Sequence, residues 1–110
     1  MISTEYHNHI LLIDERDDIE KFATFITGIW EQFEGKNVVL DLSKYKQATL
    51  PHMLAFLMLS NKHRATKQSF VIINDALPAD DNPEELMIVP TSQEAQDVIE
   101  MEEMERDLGF

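Results

Sequence analysis

Lys36-Asn37-Val38-Val39-Leu40-Asp41-Leu42-Ser43 is the stretch on which the fold turns. From Val38 to Leu42 only Asp41 is polar, so apolar and polar positions do not alternate, and the β-branched and leucine side chains suit a strand buried on both faces. Strands covered on both faces belong to parallel sheets, because the crossover joining two parallel strands lays a helix against them. Gln68-Ser69-Phe70-Val71-Ile72-Ile73-Asn74 repeats the pattern, and Leu86-Met87-Ile88-Val89, ended by Pro90, is a shorter version of it. Upstream, Glu5 to Ile13 ends in four apolar residues and stops at the charged cluster Asp14 to Asp18, which predicts a first strand.

Helical periods fill the gaps between these runs. Ile19, Phe22, Ala23, Ile26, Ile29, Trp30 and Phe33 recur at spacings of three and four, which predicts one helix from a cap at Asp17 or Asp18 to a stop at Gly35. Thr49 offers a cap and Pro51 suits the first turn of a second helix running from Leu50, apolar almost all round and expected to be the most buried in the chain. It ends in Lys62, His63 and Arg64, the sign of charge that a helix C-terminus favours. Thr91 with Glu94 has capping-box spacing ahead of a third helix, on which Ala95, Val98, Ile99, Met101, Met104 and Leu108 draw a stripe. The expected order is strand, helix, strand, helix, strand, strand, helix: a single α/β domain over residues 1–110, with a four-stranded, mostly parallel or mixed sheet and three main helices.

The 110 residues are 44% hydrophobic, enough for one modest core, and carry 9 basic against 21 acidic side chains for a net charge of −12. Such a chain repels a phosphate backbone, so nucleic acid is not an expected partner. There are no cysteines, which removes disulfides, thiolate metal sites and cysteine nucleophiles and suits a reducing cytoplasm. The longest apolar run, Leu50 to Leu59, is far below the roughly 20 residues of a bilayer span, and Met1 to Glu5 lacks the charge and apolar block of a secretory leader. A soluble cytoplasmic protein is expected. The acidity is local: residues 1–79 hold 10 acidic and 8 basic residues, whereas residues 80–110 hold 11 acidic residues and Arg106.

No motif specifies catalysis. His7 and His9 have the H-x-H spacing that puts two imidazoles on one face of a strand, but Ile10-Leu11-Leu12 follows where a metallo-hydrolase continues to further ligands, so a solvent-facing pair on an edge strand is expected and no metal. Asp41, with Asp14 or Asp75, suggests carboxylates at the carboxyl edge of the sheet, where open α/β folds often place active sites. Phosphate-binding glycine loops and a nucleophile elbow are both missing, and no cofactor is expected. Met53, Met58, Met87, Met101 and Met104 read as core fillers, with Met101 and Met104 alternatively part of an adaptable binding surface.

The run Val38 to Ser43, a short loop, a helix from Leu50, the strand Ser69 to Asn74, and then a strand, Pro90 and a helix opening on Glu94-Ala95 together resemble the STAS domain of anti-sigma factor antagonists. The resemblance spans about Lys36 to Ile99. It implies a non-enzymatic regulatory domain that binds a protein partner through the start of the second helix (Thr49, Leu50, Pro51, His52) and the preceding loop (Lys44, Tyr45, Lys46, Gln47). In that family a serine at the helix start is phosphorylated. Leu50 stands in its place here, leaving Thr49 as the nearby hydroxyl, and one N-terminal strand replaces the family's usual two. The acidic last helix suits a basic partner, and an edge strand near Tyr6 allows a monomer or a weak homodimer. The run from Pro90 to Phe110 also resembles short Bacteroidetes proteins often labelled ribonuclease Z, which implies as an alternative an accessory to a metal-dependent hydrolase.

Overall fold

The computed structural model describes residues 1–109; Phe110, the last residue of the C-terminal run quoted above, lies outside them. One five-stranded mixed sheet organises the chain, with strands in sequence order: β1 (Ile2–Glu5), β2 (Ile10–Ile13), β3 (Val38–Asp41), β4 (Phe70–Ile73) and β5 (Met87–Val89). β1 runs antiparallel to β2, and β2 to β5 are parallel, with Ile10 opposite Val38 and Val38 opposite Phe70.

The expected four strands are five because the N-terminal run is not one strand. A turn at residues 6–9, closed by the Tyr6 amide donating to the His9 carbonyl at 2.8 Å, folds β1 back along β2. His7 and His9 therefore sit in a turn and not on a strand face, and His9 is buried beneath a stacked Tyr6 ring at 4.9 Å. Two N-terminal strands are thus present where the sequence reading expected one.

Alternate residues of the parallel strands feed two cores, as a pleated strand requires. Leu12, Leu40, Phe70 and Ile72 face α1 (Ile19–Gly28), α2 (Leu50–Leu54) and α3 (Leu57–Ala65), whereas Val39, Val71, Ile73 and Val89 face Ala95 and Ile99 of α4 (Ser92–Asp107). Strands laid down in one direction with right-handed crossovers put every crossover on the same side, which leaves the other side to α4. The β4–β5 connection keeps to the rule with no more than a 3₁₀ turn at Ala79–Asp81: Ala76, Leu77 and Leu86 pack into the first core.

Two helices differ from their predicted form. α1 stops at Gly28, and a 3₁₀ turn over Trp30–Phe33 replaces the last turns expected before Gly35. A 3₁₀ turn repeats every three residues, which drives Trp30 and Phe33 inward together. The second helix is broken at Ala55–Phe56, and only one side of it is covered: Met53 and Phe56 are fully buried, whereas Leu50, Leu54 and Met58 are 41, 43 and 85% exposed. It is not the most buried helix, and Met58, Met101 and Met104 are surface residues instead of core fillers. The first core closes on Trp30, whose indole N–H donates to His63 Nδ1 at 3.1 Å while His63 Nε2 meets the Lys36 carbonyl at 2.6 Å.

Candidate functional site

The carboxyl ends of β2, β3 and β4 converge on the loop Lys44 to Ala48. Asn74, just beyond β4, reaches across it: its side-chain NH₂ donates to the Leu42 and Tyr45 carbonyls at 2.9 and 3.0 Å, and its Oδ1 accepts from the Ala76 amide. On the other side Tyr45 donates its hydroxyl to Asp14 Oδ2 and to the Arg16 carbonyl. Burial first, then the bond to Asp14 and the nearby carboxylates, pushes the Tyr45 phenol well above its ordinary range. The Lys44 ammonium lies 5.3 Å from the Tyr45 ring centroid, donates to the Arg16 carbonyl and lies 3.6 Å from Asp17. Ala48 plugs the loop into the core. The loop is thus fixed from both flanks before any ligand arrives.

A shallow groove of about 670 Å³ lies over this loop, lined by Lys44, Tyr45, Lys46, Gln47 and His52 on one wall and by Asp17, Asp18 and Glu20 at the start of α1 on the other. Five of the eight residues expected to bind a partner line it. Thr49, Leu50 and Pro51 continue from its rim as exposed residues. His52 joins the walls: Nδ1 accepts from the Thr49 amide at 3.1 Å, which serves as the return half of a capping box, and Nε2 lies 3.7 Å from Glu20. Beyond the rim, a second depression between α1 and α2 is lined by Ala23, Thr24, Thr27, Pro51 and Ala55. Leu50, Leu54 and Met58, four residues apart, form an exposed apolar ridge along α2 and α3.

The carboxylates suggested as an acid/base set are brought to the same edge but separately engaged. Asp14 accepts from Tyr45 and from the Arg16 amide, Asp41 from the Ser43 amide at 3.0 Å, and Asp75 pairs with Lys46 at 3.4 Å. Among the described residues no group of three or more His, Asp or Glu side chains is placed to hold a metal. In the β1–β2 turn, burial and then His7 hold His9 below the ordinary imidazole range, with Glu103 pulling the other way. Its Nδ1 is 2.7 Å from Asn8 Oδ1. No described helix is long and apolar enough to cross a membrane.

Sequence reasoning missed Asn74 and Tyr45 as the residues that fix the loop. An asparagine closing an apolar strand is the only trace of the first, and its partners are backbone carbonyls about thirty residues away, which carry no side-chain signature. Comparison of the chain with family models, curated proteins and solved structures finds no match.

Proposed function

We propose that this chain is a non-enzymatic protein-interaction domain of STAS-like build, acting in the cytoplasm as a monomer or weak homodimer. It engages a protein partner through the loop Lys44 to Gln47 and the helix start Thr49 to His52. The observation that carries the reading is the pairing of a loop pinned from both flanks by Asn74 and Tyr45 with an uncovered apolar ridge, Leu50, Leu54 and Met58, immediately beyond it. Pinning removes ordering entropy that association otherwise costs, and the ridge supplies apolar surface to bury. Lys44, Lys46 and Asp17 to Glu20 give the groove both signs of charge, which favours a defined orientation.

The test is affinity capture from the native cell with wild type, Leu50→Asp and Lys46→Glu. A defined partner should be recovered with wild type and lost or strongly reduced with Leu50→Asp, whose thermal unfolding should match wild type because Leu50 is exposed. Recovery of the same partner at the same yield with both variants would remove this face from the reading.

A further inference from the structure

The side of α4 that faces away from the sheet is apolar a second time. Ala95 and Ile99 are buried against β3 to β5, and Arg106 turns inward to Ser69 Oγ and Asn37 Oδ1, both at 3.1 Å. Opposite them Met101, Met104 and Leu108 are 52, 63 and 66% exposed. At 3.6 residues per turn these three fall within about 60° of one another and cover about 10 Å of helix. They form one stripe. Its surroundings are acidic: of the seven carboxylates on Ser92–Asp107, only Glu102 has a cationic partner among the described residues, Arg64 at 3.1 Å, and the helix's single cation is the inward-turned Arg106.

We propose that this outer face of α4 docks a basic amphipathic helix from another protein, with its apolar side on Met101, Met104 and Leu108 and its lysines or arginines over the flanking carboxylates. Charge selects the occupant. A second copy would bring an equally acidic helix against this one, and a nucleic acid or an anionic bilayer is repelled in the same way. Unbranched thioethers accept varied apolar shapes, which suits a helix recognised by its pattern. The surface lies on the opposite side of the sheet from the ridge at Leu50, so this inference and the function proposed above can fail independently.

The experiment is fluorescence anisotropy at physiological salt with a labelled peptide of about 16 residues, Leu and Lys arranged as an amphipathic helix, and a scrambled peptide of the same composition. The amphipathic peptide should bind at least about tenfold more tightly, which corresponds to about 1.4 kcal/mol. Met101→Ser with Met104→Ser should abolish that preference and leave scrambled-peptide binding unchanged. Leu50→Asp should leave both affinities as in wild type. Equal binding of the two peptides, no binding of either, or a preference that survives the double substitution overturns the inference. So does loss of the preference in Leu50→Asp, or self-association of wild type in sedimentation that the double substitution abolishes.

Discussion

His63 shows how much one side chain can tie together. It accepts from the chain's single tryptophan, Trp30, on Nδ1, and its Nε2 proton is left to donate to the Lys36 carbonyl, so the ring is held neutral. Burial is the main cause of its lowered pKa, with Arg64 adding to it and the bond to Lys36 opposing it. The unfolded chain therefore takes up this proton at a higher pH than the folded one does, and stability falls as pH drops through the ordinary histidine range. Between pH 7.5 and 5.5 the loss from this group is capped at about 1.4 kcal/mol, the limit in which only the unfolded histidine, with its ordinary pKa of about 6.5, takes up the proton. Urea unfolding followed by Trp30 fluorescence checks this: the stability gap between wild type and His63→Gln should narrow over the same interval, by no more than that amount. A constant gap means that His63 titrates in the folded chain as it does in the unfolded one, and a widening gap that the fold favours its charged form.

At the scale of elements, the ends of helices carry the testable strain. α3 finishes at Ala65, and Lys67 completes the exit with φ at +65°, a left-handed conformation that a side chain disfavours and glycine accepts. Lys67→Gly should raise the urea midpoint, with a gain of up to about 1 kcal/mol and no change in slope. The elements also show what could be read in advance. β3 and β4 were legible because burial on both faces leaves an unbroken apolar run, and α1 because one covered side leaves a period of 3.6. β1 was not, since all four of its residues are exposed and it is held by backbone pairing to β2, which has no side-chain pattern. Leu54 and Met58 were read as core because an apolar residue looks the same whether it awaits a domain neighbour or faces water. Five of the residues expected from the resemblance to bind a partner line the groove, because the loop between a buried strand and a helix start falls at the carboxyl edge of any parallel sheet.

For the whole molecule, the net charge of −12 opposes compaction. The N-terminus with Glu15, Lys36 with Glu5 and Arg64 with Glu102 neutralise only a few of the 21 acidic groups. Repulsion among the rest is screened by salt, since the Debye length shortens from about 30 Å at 0.01 M to about 3 Å at 1 M. Thermal unfolding should therefore rise by roughly 4–8 °C on going from low to high sodium chloride, equivalent to about 1 kcal/mol for a domain near this size. A fall in Tm on calorimetry would mean that the surface ion pairs outweigh the repulsion.

The strand order has a kinetic meaning. Because each strand lies beside the one that precedes it in the chain, no strand has to be inserted between two that are already paired. The register partners Ile10 and Val38, Val38 and Phe70, and Val71 and Met87 close loops of modest length, the last of them the shortest. The sheet can grow from its N-terminal hairpin outward as a ribosome delivers it, with each new strand meeting a finished edge, and α4 arrives last to cover the side that the crossovers leave open.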